Sequence, residues 1–254
     1  KVIVHHYIYD EKEDKATTQK LVEDDEITGK IGENYSSKKS DAVPANYICT
    51  NEQPEGYTGK IAKDTIEVTY YYKLKTSEIE SRIDSKVITE VEKDEEGNFI
   101  IKAGEEIKYE ITYETTIRDY KGRLKIEIEA ELPEGTEIDE SKLDLNGGTY
   151  NKESNTIKWI IDIENVDTFT HTTEMMNRDG SIGEHTETIK KEITIAYAED
   201  YKLANMNLKA KGETILYYPD DYPLEKDEPF VKDEVDEKEK GKIIIHHYIY
   251  DEEK

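Results

Sequence analysis

The chain has 254 residues, of which 37% are charged and 35% hydrophobic, and its formal net charge is −25. That length exceeds one small β module and suits two. So acidic a chain repels phosphate backbones and anionic lipid, which argues against nucleic-acid binding and membrane insertion. High charge also raises the question of disorder. Against it, the apolar residues are largely β-branched or aromatic and they alternate, as in IEVTYYYKLK, EIKYEITYE and LKIEIEAEL. Cys49 is the only cysteine, so there is no intrachain disulfide. No stretch reads as a signal peptide or a membrane span. The chain starts on a strand pattern without an initiator Met and is expected to be a piece of a longer protein.

Residues 1–75 read as a first unit. VIVHHYIYD is a strand with Val2, Val4, His6 and Ile8 on one face and Ile3, His5, Tyr7 and Tyr9 on the other. DEKEDK then reads as a turn. EITGKIGENYSS carries Gly29 and Gly32, which permit positive φ or close backbone approach. VPANYICTNEQPEGYTGKI holds another extended stretch, then a turn at Pro54 and Gly56. TIEVTYYYKLK is the strongest strand, with Ile66, Val68, Tyr70 and Tyr72 sharing a face.

Residues 76–218 read as a second unit. KVITEVEK, NFIIKAG, EEIKYEITYE, GRLKIEIEAEL, TIKWIIDIE, TETIKKEITIAYAE and MNLKAKGETILYY are its strands. Turn signals at Pro133, Gly135 and Asn146-Gly147-Gly148 punctuate them. Short strands at this spacing predict an antiparallel β-sandwich. Residues 171–187 are polar and dotted with glycine, and predict a long loop. Residues 219–241 carry Pro219, Pro223 and Pro229 among dense, mostly acidic charge, and predict an extended linker.

Lys242–Asp251, KIIIHHYIYD, then repeats Lys1–Asp10, KVIVHHYIYD, differing only by Val2/Ile243 and Val4/Ile245. The repeat is displaced by 241 residues, which predicts a tandem array cut to one period plus the first strand (242–254) of the next. That strand, without the rest of its unit, is expected to be poorly ordered or to borrow a sheet edge from another chain.

In this order, VIVHHYIYD, ITGKIGENYSS, ANYICTNEQPEGYTGKI and TIEVTYYYKLK resemble the MucBP (mucin-binding protein) repeats of Gram-positive surface proteins. The matching residues are Thr28, Gly29, Lys30, Gly32, Tyr35, Asn46, Tyr47, Thr58, Gly59 and Ile66 to Tyr72. The resemblance implies a β-grasp-like fold for residues 1–75. The turn DEKEDK lacks the glycine usual in the family, so a longer first hairpin is expected. AGEEIKYEITYE, LPEGTEID and LNGGTYNKESNTIKWIIDIENVDTF, with Asn205 and Asn207 before the last strand, resemble more loosely the Ig-like repeats of bacterial surface and fimbrial proteins. The overall expectation is a mainly β chain, with a grasp-like module followed by an Ig-like sandwich.

Few residues suggest chemistry. His5 and His6 are adjacent on a strand and point to opposite faces, so they cannot hold one metal; one half-buried and one exposed imidazole are expected. DEKEDK and RDGSIGE miss the pattern of a calcium loop. No G-x-S-x-G, H-E-x-x-H or P-loop is present, and neither unit offers a distinctive carboxylate pair for glycoside hydrolysis. No enzyme, metal or cofactor is therefore expected. Cys49 and Gln53 are spaced near a thioester pattern, but a buried thiol acting as a small hydrophobe fits better. Lys86, Asp162 and Asn207 are candidates for an intramolecular isopeptide bond, which requires their burial together. Tyr70, Tyr71 and Tyr72 are candidates for glycan contact, although tyrosine also simply favours strands.

The expected role is a structural repeat of a secreted, wall-associated stalk or fibre on a Gram-positive-type surface, with neighbouring repeats as partners. The alternative is direct binding of mucin glycans or host protein by the first unit, which rests on analogy.

Overall fold

The computed structural model describes residues 1–169, 183–224 and 228–236. The chain is mainly β, and its only helical segment among the described residues is a 3-10 turn at Glu140–Lys142.

The first unit contains β1 (Val2–Asp10), β2 (Lys15–Lys20), β3 (Asp25–Ile27), β4 (Asn34–Ser36), β5 (Tyr47–Cys49), β6 (Thr58–Lys60) and β7 (Ile66–Leu74). β1 runs parallel to β7, in register from Val2 against Ile66 to Ile8 against Tyr72. On its other side β1 pairs antiparallel with β2 and β3, and β5 closes the far edge on β7. The alternation in β1 works as the sequence predicts: Val2, Val4, His6 and Ile8 are buried, and the residues between them are half-exposed. They pack with Val68, Tyr70, Tyr72 and Leu74 of β7. Over this face lie Ile61 and Tyr35, the latter from the separate β4–β6 pair. The first hairpin closes Asp10 onto Lys15. Asp14 stands there at φ 45° in the left-handed region, which Asp tolerates better than most non-glycine residues. A glycine is therefore not needed.

The second unit contains β8 (Glu78–Val87), β9 (Phe99–Ile101), β10 (Glu106–Arg118), β11 (Lys121–Glu131), β12 (Thr149–Asn151), β13 (Thr156–Asp167), β14 (His185–Ala196), β15 (Tyr201–Leu203), β16 (Lys209–Leu216) and β17 (Val231–Asp236). Two antiparallel sheets, β14-β10-β8 and β12-β13-β11-β16-β17, face each other. Between them lie Tyr109, Ile111, Tyr113, Ile126, Ile128 and Trp159, all essentially inaccessible to solvent. A Cβ on Gly212 of β16 would stand 2.3 Å from the Tyr113 ring, so glycine there makes room for the ring of the facing sheet.

Two expectations are corrected. The strand expected at KVITEVEK lies earlier, at Glu78–Val87, and leaves most of that stretch outside it. Residues 219–241 are not simply a linker, because Val231–Asp236 pair with β16 as an edge strand. Both strands were obscured in the same way, since their inward positions carry polar residues. Those positions are Ile79, Ser81, Ile83, Ser85 and Val87 in β8, and Val231, Asp233 and Val235 in β17. Of residues 171–187, only 183–187 are described; they lead into β14 and form its first three residues. The expectation for 242–254 lies outside the described residues.

Among the described residues, the chain passes between the units three times. It first crosses through Lys75-Thr76-Ser77, where the Ser77 hydroxyl donates to the Asp119 carbonyl at 3.0 Å and Lys75 Nζ stands 4.8 Å over the Phe169 ring. After β16 it returns, and Tyr218, Tyr222 and Leu224 pack on the first core. It then crosses again to β17. Phe230 touches both cores, with its ring 5.1 Å from that of Tyr218, which lies 4.8 Å from that of Tyr222. Lys12 and Glu228 form an ion pair of 2.6 Å across the same joint, and at such exposure it contributes little beyond the aromatic contact.

Truncating a half-buried aromatic ring that two cores share should cost each of them. Phe230→Ala is expected to lower stability by about 2 kcal/mol and to shift the denaturant transitions of both units. If only one transition moves, Phe230 does not couple the two cores.

Candidate functional site

The first group of predicted residues sits on the β1–β7 pair. Tyr70 and Tyr72 point inward and are 1% exposed, so only Tyr71 faces outward, half-buried. The expected trio of contact aromatics is thus divided by the strand's period of two. Tyr70 is tied down further, its hydroxyl lying 3.1 Å from the Ser37 hydroxyl. Beside Tyr71 the side chain of Asn51 behaves like a strand. Its amide nitrogen donates to the Thr69 carbonyl at 2.9 Å, and its carbonyl oxygen accepts from the Tyr71 N–H at 2.7 Å.

The two histidines divide in the same way, but deeper than expected. His6 is completely buried and His5 is half-buried. His6 Nε2 lies 3.2 Å from Asp25 Oδ2 and its Nδ1 lies 3.0 Å from the Tyr72 hydroxyl. A neutral ring satisfies both contacts if Nε2–H donates to the carboxylate and Nδ1 accepts from the phenol. The ring also stacks against Tyr70, at 5.9 Å between centroids. His5 stacks on Tyr7 at 5.2 Å, and its Nδ1 is 3.2 Å from Asp24 Oδ1. Burial pushes the His6 pKa down, against the opposing pull of Asp25 and Asp24 and with a smaller contribution from His5.

The isopeptide candidates are not brought together. Lys86 lies on β8, 60% exposed, with its Nζ 2.6 Å from Glu110 Oε1. Glu110 is nearly buried and also holds Lys190 at 2.7 Å; the hydrogen bonds from Lys190 and Lys86 keep its carboxyl below the usual range. Asp162 is exposed on β13, in the opposite sheet. Asn207 is exposed ahead of β16, where its N–H donates to Asn205 Oδ1. Attack on an amide needs an uncharged lysine beside the asparagine in a desolvated pocket, and these positions supply none of that. Gln53 is exposed, while the half-buried Cys49 Sγ lies 3.8 Å from Asn51 Oδ1 and its pKa is raised by burial. That is the setting of a packed thiol.

The polar group that the sequence reading missed lies inside the sandwich. Ser81 Oγ and Thr214 Oγ1 each donate to Thr115 Oγ1 at 3.0 Å. The Tyr113 hydroxyl lies 2.5 Å from Thr214 Oγ1. Thr115 and Thr214 are fully buried. The chain of hydroxyls joins β8, β10 and β16; burial, with a smaller contribution from Asp233 of β17, disfavours ionisation of Tyr113. A second buried phenol, Tyr120, has its oxygen 2.5 Å from the Arg123 carbonyl and 2.9 Å from the Tyr217 carbonyl, and accepts from the Tyr217 N–H at 3.1 Å. It pins the β10–β11 corner to the segment that returns to the first unit. Inward Ser and Thr at alternate positions were the available signal, but taken alone they read as solvent-facing.

No family model matches the chain, and no curated protein matches it. Among solved structures, a similarity is found to the full-length major pilin SpaD from Corynebacterium diphtheriae. It has 10% sequence identity and a TM-score of 0.27, and covers 76% of this chain and 43% of that one. The chain therefore spans less than half of the pilin's length, and a likeness at this level supports no functional conclusion.

Two outcomes follow from these geometries. The unfolded chain takes up a proton on His6 below about pH 6.5, whereas the folded chain resists it to lower pH. Stability is therefore complete above that pH and falls as pH drops below it. The urea midpoint should decline as pH falls from about 6.5 to 5.5, and His6→Gln should flatten that decline; an unchanged slope in the variant would assign the effect elsewhere. Separately, the intact mass of the chain should equal that of its sequence. A mass short by one ammonia would mean that an internal crosslink has formed, either a lysine with an asparagine or Cys49 with Gln53.

Proposed function

We propose that the chain is a structural repeat of a bacterial cell-surface stalk or fibre, made of a MucBP-type unit followed by an Ig-like spacer. The observation that carries this reading is the return of the β1 sequence 241 residues on. The copy keeps the inward pattern that β1 uses: Val2, Val4, His6 and Ile8 correspond to Ile243, Ile245, His247 and Ile249. Preserving a buried histidine as well as the aliphatics is what a second unit of the same kind requires, because that histidine has specific partners in the fold. The joint supports the reading too, since three chain crossings and a shared aromatic suit a spacer that holds its units in fixed relation. The role is mechanical, with no reaction assigned, and the site of action is the outer surface of a Gram-positive-type wall.

A protein made of residues 1–241 joined twice tests the reading by small-angle scattering. The maximum dimension should approach twice that of residues 1–241 alone, as repeats that contact only their neighbours require. A compact particle in which the two periods fold back on each other would count against a stalk.

A further inference from the structure

We infer that the β1–β7 pair is the element that resists tension along the chain; this rests on the stalk reading above and goes a step beyond it. Tension reaches the first unit at the start of β1 and leaves it at the end of β7, through Leu74 into the second unit. The two strands are adjacent and parallel, with Val2 opposite Ile66 and Ile8 opposite Tyr72. The pull on β1 is therefore directed toward its N-terminus and the pull on β7 toward its C-terminus. These forces are opposed and lie along the strands, so they shear the ladder. Every hydrogen bond of the seven paired positions, from Val2 to Ile8, is loaded together. An antiparallel pair of first and last strands would place both attachment points at one end, and the bonds would open singly.

Three further features suit this direction of load. β1 is an inner strand, held on its other side by β2 and β3, so sliding it breaks two ladders. Its inward side chains Val2, Val4, His6 and Ile8 are buried between Val68, Tyr70, Tyr72 and the covering residues. Sliding by two residues would move His6 away from both Tyr72 and Asp25 at once, leaving a buried polar ring without partners. At the exit, the Lys75 N–H donates to the Asn46 carbonyl at 2.9 Å, which anchors the end of β7 to the body of the unit.

Force spectroscopy on the full chain tests this within one molecule. Two tethered variants are made in a Cys49→Ala background. The first, with Lys1→Cys and Thr76→Cys, loads β1 and β7 from opposite ends. The second, with Lys1→Cys and Asp64→Cys, loads the same strands from one end, where the Ile66 N–H donates to the Lys1 carbonyl at 3.1 Å. Lys1, Asp64 and Thr76 are exposed, so the handles leave the core intact. At equal loading rate, where rupture reports the unfolding rate under force, the first variant should rupture at a force several-fold above the second. Each released length should match the residues between its handles. Equal forces, or a stronger second variant, would overturn the clamp. That result would leave the stalk reading to the scattering of the doubled chain, which does not depend on where the unit yields.

Discussion

The parallel contact of β1 with β7 sets the form of the first unit. A chain with 37% charged residues has apolar side chains for only one face of each strand. Placing the first and last strands side by side concentrates that limited material, and the inner faces of both become one core. Parallel neighbours cannot be joined by a tight turn, so everything from the first hairpin to residue 65 serves as the crossover. β4 and β6 use part of that crossover to cover the core, with Tyr35 donating from its hydroxyl to the Gly56 carbonyl at 2.7 Å. His6 sits in the middle of this contact. It costs desolvation that a leucine would not, but it ties β1 to Tyr72 of β7 and to Asp25 of β3 in one defined register. Polar groups that specify register in this way are a recognised use of buried hydrogen bonds.

The second unit meets the same shortage of apolar residues with two facing sheets. Along the side where β8, β16 and β17 approach, the interior is completed by hydroxyls in place of aliphatics. The Ser81, Thr115, Thr214 and Tyr113 chain is satisfied within itself, so burying it adds hydrogen bonds without orphaned groups. β17 fits this polar margin because its central inward residue is Asp233, which an aliphatic core would reject. The edge strand that couples the joint to the sandwich is thus admitted by polarity.

Strands whose inward positions are aliphatic or aromatic were legible from sequence: β1, β7, β10, β11, β13 and β14 fall close to where alternation puts them. β8 and β17 were displaced or missed because Ser81, Ser85 and Asp233 look like solvent-facing residues until their partners are known. β2, with the exposed run KATTQK, carries no apolar period at all, and only its pairing with β1 makes it a strand. Site residues followed the same rule. Strand period alone separates Tyr71 from Tyr70 and Tyr72. The full burial of His6 and the separation of Lys86, Asp162 and Asn207 depend on long-range pairing, which no local pattern encodes. The joint was the least legible feature. Tyr218, Tyr222 and Phe230 stand among prolines and acids, and their common contact arises only from the return of the chain.

That joint also decides what the net charge can do. A charge of −25 suggests copies of the chain driven apart by repulsion. At physiological ionic strength, however, exposed charges are screened beyond about 8 Å, and many acids here are already paired with lysines, as on the face that carries Glu110. Repulsion of that range keeps neighbouring chains from adhering, but it cannot orient one unit relative to the next. Orientation within the period has to come from contacts that bridge the two cores, and the Tyr218–Tyr222–Phe230 cluster, with Lys75 over the Phe169 ring, makes them. Charge then governs solubility and spacing between chains, while aromatic packing at the joint holds the second unit against the first.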